Sequence, residues 1–307
     1  MPVYEQGYRH FAGSRAARLL RFAPITANGV RLALRSKLFT FAVVLPSQIA
    51  MIVGAVIAYV VFQQAPQVMS GPAGAMIPMR FDMEELQRRV GPPLYWGILM
   101  VQSRLWLPAV GALLAGRLVA GDAQANALEV YFSRPITRFD YAAGKFLTAF
   151  GFFLYVTLLP PIGAWGAACL LAPDTAYMKS TLGMAWGIAV NALLVSGVAA
   201  FLLLGVSSVS KKPRFAAALW IGVLVFSAVA SQILIHSVRR PGGYLVSILF
   251  HCQRLGYTLV SPDLEGQLTQ RGIALPPSEH SVVILAGIVV VSAVVFVKRL
   301  HAVEIVK

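Results

Sequence analysis

The sequence predicts an all-helical integral membrane protein with six transmembrane helices, and three observations carry this prediction. Hydrophobic residues make up 58% of the 307 residues and charged residues only 12%, whereas a soluble domain usually carries about 25% charged residues. The mean hydropathy is +0.72. Several apolar runs reach about 20 residues, the helix length that crosses the hydrocarbon layer of a bilayer. These properties exclude an ordinary soluble domain.

Six apolar segments account for the predicted spanning helices, with each end defined to about 2–4 residues. Prolines occur inside several segments, where neighbouring helices tolerate the kinks that they cause. No cleavage site closely follows the first run, so that run is expected to stay as a membrane anchor. The predicted spans are 38–62, 94–117, 146–171, 181–206, 215–236 and 282–298.

Residues 1–37 form a predicted cytoplasmic amphipathic segment ahead of the first span. Apolar residues alternate with Arg from Ser14 onwards, and Asn28, after Pro24, is placed to cap a second helical piece. A basic amphipathic helix of this kind lies in the membrane interface, so lipids are expected partners. The net charge of +14 would also suit nucleic acid. No aromatic platform or binding motif accompanies it, so nucleic acid is not an expected partner.

The distribution of basic residues orients the chain. Lys and Arg concentrate in residues 1–37, in 117–145, in 211–214 and at the C-terminal end. Because cytoplasmic loops accumulate these residues, both termini are predicted to be cytoplasmic, in a multi-pass protein of the inner (plasma) membrane.

Two sizeable regions, 63–93 and 237–281, then lie outside. The first ends in a short predicted helix around Asp82–Val90. The second contains the apolar piece Tyr244–Phe250, which is too short to span and is predicted to be re-entrant or interfacial.

The chain lacks the motifs of an enzyme. No phosphate-binding loop surrounds Gly144–Lys145, which is the sole Gly-Lys pair. Metal-ligand spacings and hydrolase signatures are also missing, so no catalytic, cofactor-binding or metal residue is predicted. The spans lack Asp and Glu, which disfavours a proton-driven carrier. Cys169 and Cys252 allow at most one disulfide.

Arg104 is the one ionisable residue deep in a predicted span. It precedes Arg117 by about 20 Å of helix, beyond the middle of the bilayer. Because Arg at the centre of a spanning helix costs about 2.5–3.5 kcal/mol, Arg104 is expected to face a subunit interface or a watery path. A place in the substrate path, a structural partner and snorkelling to the outer surface all remain open. Four other polar residues are expected to bond between helices: Gln48, Gln102, Asn191 and Gln232.

The polar 118–145 segment joins the second and third spans. Its first part predicts one short helix, Gly121–Ser133, which Pro135 ends. Thr137 and Asp140 have the spacing of a helix N-cap and its partner, so a second helix is expected to follow. One face of the first helix carries three apolar residues at helical spacing, Ala125, Leu128 and Phe132.

This segment resembles the signature between the second and third membrane helices of type-two ATP-binding cassette (ABC) permeases. These are exporter-type membrane subunits that include the permeases of nitrous-oxide-reductase maturation and of gliding motility. Layout extends the resemblance over the whole chain. The residues that carry it are Asp122, Ala127-Leu128-Glu129, Tyr131-Phe132-Ser133-Arg134-Pro135, Thr137-Arg138, Asp140-Tyr141 and Gly144-Lys145.

The resemblance implies that the segment is a coupling element that rests in a groove of a separate ATP-binding subunit. It also implies two ATPase subunits, which bind ATP and Mg²⁺, and a second permease subunit, identical or different. Glu129, Arg134, Arg138 and Asp140 would make docking or internal ion pairs, Pro135 would fix the turn, and Gly144 would allow close helix approach. The implied coupling residues are Asp122, Leu128, Glu129, Phe132, Arg134, Pro135, Arg138, Asp140, Gly144 and Lys145.

The expected function is therefore that of a permease subunit in an ATP-driven exporter. One alternative is a membrane subunit that transmits force to an extracytoplasmic protein, or assists its assembly, without moving a solute. The other is a standalone channel or secondary carrier, in which the 118–145 segment would have no coupling role.

Overall fold

The computed structural model describes residues 21–67, 92–132, 136–172, 175–237, 241–260 and 276–302. Every regular element in these ranges is a helix, and six helices are long and apolar enough to cross a membrane. The predicted fold class is thereby confirmed. The predicted helix Asp82–Val90 lies outside the described residues.

The described helices are numbered here in chain order. Two of them contain a π-helical turn, Thr40–Val44 in the first span and Gln102–Trp106 in the second. A 3₁₀ turn, Pro241–Val246, precedes the ninth helix. The helices are α1 (Ala23–Leu34), α2 (residues 37–67), α3 (residues 92–115), α4 (Val119–Gln124), α5 (Ala127–Phe132), α6 (Arg138–Leu171), α7 (Ala176–Val209), α8 (Pro213–His236), α9 (Ile248–Val260) and α10 (Ser278–His301).

Helices α6 and α7 form the centre of the bundle. Each has 34 residues and buries a long row of small and apolar side chains. Gly205 of α7 lets α10 approach, since an added Cβ would lie 3.1 Å from the Cα of Ser292. Gly111 of α3 similarly receives the indole of Trp220, whose Nε1 donates a 3.0 Å hydrogen bond to the Pro108 carbonyl. Small residues at such contacts are typical of packing between membrane helices.

Helix α9 packs beside the spanning helices, although it is too short to be one of them. The predicted piece Tyr244–Phe250 is divided in the structure between the 3₁₀ turn and the start of α9, with Ser247 between them. The end of α9 reaches α7, where the carbonyl of Leu259 would lie 1.9 Å from a Cβ added to Gly187. Its start is tied to α10 by a 3.0 Å hydrogen bond between His251 and Ser281.

Candidate coupling site

The 118–145 segment folds into three pieces: α4, α5 and the first two turns of α6. The prediction of a single helix over Gly121–Ser133 is wrong, because Asn126 adopts a left-handed backbone conformation with φ of 50° and separates α4 from α5. Asparagine tolerates this conformation and often ends helices in it. Ala125 consequently lies exposed in the break instead of sharing a face with the buried Leu128 and Phe132.

Ser207 of α7 anchors the start of α4. Its buried hydroxyl accepts hydrogen bonds from the backbone N–H groups of Val119 and Ala120, both at 3.1 Å. It donates a 2.6 Å bond to the carbonyl of Ala115, at the end of α3. One side chain thus satisfies backbone groups at both helix ends, which otherwise have no partner within their own helices. Sequence reasoning missed this residue, since a serine just after a predicted apolar span carries no local signal of such a role.

Asp122 and Lys145 form a shielded ion pair between α4 and α6. The Lys145 ammonium lies 2.7 Å from the Asp122 carboxylate, and the two side chains are 7% and 17% exposed. Lys145 also donates to the Leu118 carbonyl at 3.1 Å, and the Tyr141 hydroxyl donates to Asp122 at 2.8 Å. Burial, and secondly the Asp122 carboxylate, raise the pKa of the nearby Tyr131. These two predicted coupling residues therefore hold the segment together from within.

A capping box begins α6. The Thr137 hydroxyl accepts a hydrogen bond from the Asp140 backbone N–H at 3.0 Å, and the Asp140 carboxylate accepts one from the Thr137 N–H at 2.9 Å. The predicted N-cap is confirmed. Arg138 lies over the Phe132 ring, with 5.8 Å from its Cζ to the ring centroid, and so connects α6 to α5. Arg134 and Pro135 lie outside the described residues.

Gly144 is the point where the N-terminal helix meets the segment. A Cβ added there would lie 2.7 Å from the Ile25 side chain of α1. The Thr26 hydroxyl donates to the Gly144 carbonyl at 3.2 Å, and Thr148 donates to the same carbonyl at 2.8 Å. Near the other end of α1, the Leu32 carbonyl accepts a 3.2 Å hydrogen bond from Arg117, which follows α3. Helix α1 is therefore packed on the 118–145 segment.

One side of the segment is exposed on the surface of the chain. Glu129 and Val130 of α5 are exposed, as are Gln124, Ala125 and Asn126 around the break. Leu128 and Phe132 point into the core and are not available for such contact. The segment thus has hydrogen bonds and an ion pair on its inner side, and a small exposed surface of polar and apolar residues on its outer side.

The other residues singled out from the sequence are dispersed. Arg104 lies in the π turn of α3, exposed, and its charge acts on Tyr257 of α9. Gln48 donates a hydrogen bond to the Tyr155 hydroxyl and so connects α2 to α6 as predicted. Cys169 and Cys252 are both free thiols. Among the residues that the structure describes, no group of three His, Cys, Asp or Glu side chains could hold a metal ion.

One of the comparisons with known proteins identifies a family. No curated protein matches the sequence. A family model described as "ABC-2 family transporter protein" matches residues 80–241, more than half of the 307 residues, and this range includes the whole 118–145 segment. Proteins of this family are multi-pass, non-catalytic membrane components of ABC transporters and generally work with an ATP-binding subunit. The chain therefore belongs to the ABC-2 transporter family, as a permease subunit.

Proposed function

We propose that this chain is the permease subunit of an ATP-driven exporter and that the 118–145 segment receives the motion of a separate ATPase subunit. ATP and Mg²⁺ would bind to that subunit, present in two copies, and a second permease subunit would complete the complex. One observation carries the proposal: the segment is bonded to two spanning helices behind its exposed face. An ion pair connects it to α6, and the Ser207 hydrogen bonds connect it to α7.

Two contacts of α4 connect the segment to the spanning helices. The Asp122–Lys145 pair connects α4 to α6, and Ser207 connects α4 to α7. Helices α6 and α7 are also the two longest described helices, about 50 Å each at ~1.5 Å per residue. A displacement at the segment would therefore act directly on two helices that are long enough to cross the whole bilayer.

A charge reversal on the exposed face tests the coupling role. Glu129→Lys should lower both the recovery of the ATPase subunit in purification and the ATP turnover of the complex, because it changes the exposed charge of α5 without touching the buried pair. Lys179→Glu is the matched control, since Lys179 is exposed at the opposite end of α7. Membrane insertion should be normal in both variants.

The outcomes separate the alternatives. Unchanged association and turnover in Glu129→Lys would remove the coupling role. A chain that purifies without any nucleotide-binding partner would support a standalone channel or carrier. The non-transporting alternative would be supported by two results together: no candidate solute stimulates the ATP turnover of the reconstituted complex, and an extracytoplasmic protein is bound to that complex.

Arg104 is proposed to line the translocation path or the contact with the second permease subunit. It is exposed on the surface of the chain, and exposure of Arg to lipid at this depth is unfavourable by about 2.5–3.5 kcal/mol. Arg104→Leu should change substrate-stimulated ATP turnover, whereas Arg104→Lys, which keeps the charge, should change it less. Equal turnover in the wild type and Arg104→Leu would indicate a structural role only.

A further inference from the structure

A small cavity lies where α3, α6, α7 and α9 meet. Its volume is about 20 Å³, and its walls include Gln102 of α3, Asn191 of α7, and Cys252 and Gly256 of α9. A cavity needs about 10–15 Å³ to hold one water molecule. There is thus room for a single water-sized group.

Two buried amides line this cavity, and one atom of each has no hydrogen-bond partner in the described part of the chain. Gln102 is 3% exposed and Asn191 is 4% exposed. The Nε2 atom of Gln102 and the Oδ1 atom of Asn191 have no hydrogen-bond partner in the described part of the chain. Buried polar atoms almost always have one, either from protein or from ordered water. A donor and an acceptor therefore both require a third group in the same space.

We propose that the cavity is a binding site for one water molecule, which accepts a hydrogen bond from Gln102 and donates one to Asn191. Water fits because it donates and accepts at once. An interchange of oxygen and nitrogen in either amide leaves the argument unchanged, since the water then reverses its role at that amide. The proposal does not depend on ATP coupling or on the transported solute.

The walls favour a neutral group over an ion. No Asp, Glu, Lys or Arg is among the described residues that line the cavity. The other polar atoms nearby are amides and hydroxyls; Gln253 donates a 2.9 Å hydrogen bond to Ser103. Gln102 and Ser103 both belong to the π turn of α3, a type of irregularity that often marks functional positions in helices. The water would bridge this turn to α7 beside α9.

Gly256→Ala in the full chain, purified in lipid nanodiscs, tests the site. The added Cβ would lie 3.4 Å from Leu99 and 3.7 and 3.8 Å from the Asn191 amide atoms, so it fits without a clash. It would occupy the water's place and leave the Gln102 Nε2 and Asn191 Oδ1 atoms without a partner. We expect the Tm to fall by about 2 °C or more. In a dry cavity the same methyl group would improve packing and raise the Tm.

A second background separates the water from the effect of alanine on the helix itself. The Gln102→Met/Asn191→Leu variant lacks both amides that would bind the water. In this background Gly256→Ala should leave the Tm unchanged or raise it. A fall of equal size in both backgrounds, or a rise in both, would overturn the proposal.

Radiolytic hydroxyl-radical footprinting gives a readout other than stability. Cys252 lines the cavity and is only 6% exposed, so its oxidation in the wild type requires water inside the protein. Gly256→Ala should slow the oxidation of Cys252 several-fold and leave that of the partly exposed Cys169 unchanged. Equal rates at Cys252 in the two proteins would show that no water occupies the site.

Discussion

At the scale of single residues, the Asp122–Lys145 pair is a shielded ion pair inside the 118–145 segment. Its ammonium and carboxylate are 2.7 Å apart, and the carboxylate also accepts a hydrogen bond from the Tyr141 hydroxyl. A shielded pair of this kind gains little over apolar packing, but loss of one partner leaves the other charge uncompensated. Its single and double substitutions should therefore differ sharply.

Lys145→Met preserves most of the side-chain length and removes the charge. We expect the free energy of unfolding to fall by about 3 kcal/mol, because Asp122 would keep a desolvated carboxylate with only a hydroxyl donor. Asp122→Asn/Lys145→Met should recover part of this loss. Denaturant unfolding in detergent measures these changes, together with that of Asp122→Asn alone. A loss in the double variant that equals the sum of the losses in the two single variants would argue against coupling within the pair.

His251 makes the stability of the protein depend on pH. Its Nε2 lies 3.0 Å from the Leu245 carbonyl, which can only accept, so Nε2 carries the proton and Nδ1 accepts from the Ser281 hydroxyl. Burial lowers the pKa of His251 below its ordinary 6.5, and the nearby His280 acts in the same direction. The unfolded chain thus binds this proton more readily than the folded one.

This difference sets the sign of the pH effect. Stability from His251 is complete above pH 6.5 and is lost as the pH falls through 6.5 towards the lower pKa of the folded state. Thermal unfolding between pH 8 and pH 5 should show a Tm that falls with acidification, and His251→Gln should reduce the slope. His301→Gln, at an exposed position, is the control; a slope unaltered by His251→Gln would assign the effect to other groups.

At the scale of elements, the contact between α1 and α6 makes the N-terminal helix part of the coupling site. Gly144 admits Ile25, and Gly29 admits Thr148, whose hydroxyl would lie 2.6 Å from an added Cβ. Two glycines thus face a larger side chain of the other helix. A shift of α6 would therefore move α1 with it.

Gly144→Ala tests this contact against Gly151→Ala in the same helix. A Cβ at position 144 would lie 2.7 Å from Ile25 and 3.1 Å from the Phe22 carbonyl, whereas nothing lies within 4 Å at position 151. We expect Gly144→Ala to destabilise the protein by about 1–3 kcal/mol, since α1 must move. Gly151→Ala should be neutral or stabilising. Equal unfolding free energies for the two variants would rule out tight packing of α1.

The sequence predicted some elements of the site and not others, for physical reasons. The N-cap formed by Thr137 and Asp140 was predictable because both residues belong to one local motif. The break at Asn126 was missed because the apolar spacing of Ala125, Leu128 and Phe132 continues across it. Ser207 was missed because its bonds reach residues more than 80 positions away in the chain. Local patterns are visible in a sequence, and tertiary hydrogen bonds are not.

At the scale of the whole molecule, the apolar runs of the sequence predicted the six spanning helices, because a bilayer selects continuous apolar runs. The helices extend beyond those runs. Helix α6 begins at Arg138, eight positions before the predicted span at residue 146, since the capping box continues the helix into the polar segment. Hydropathy marks the part of a helix inside the membrane, and caps mark where the helix begins.

The orientation of the whole chain is the remaining prediction, and α7 offers a direct test. Lys179 and Lys211 are exposed near opposite ends of this 34-residue helix. Cys252 is a poor reporter, because it is 6% exposed and burial raises its pKa to about 12. Cysteines introduced as Lys179→Cys and Lys211→Cys, each in a Cys169→Ala/Cys252→Ala background, report from the surface.

The clustering of basic residues predicts that the 118–145 segment and Lys211 face the cytoplasm. A membrane-impermeant maleimide should therefore label the Lys179→Cys variant in intact cells and the Lys211→Cys variant only after permeabilisation. The reverse pattern would place the segment outside, beyond the reach of ATP. It would thus contradict both the orientation and the coupling role, because an ATPase subunit could then not contact α5.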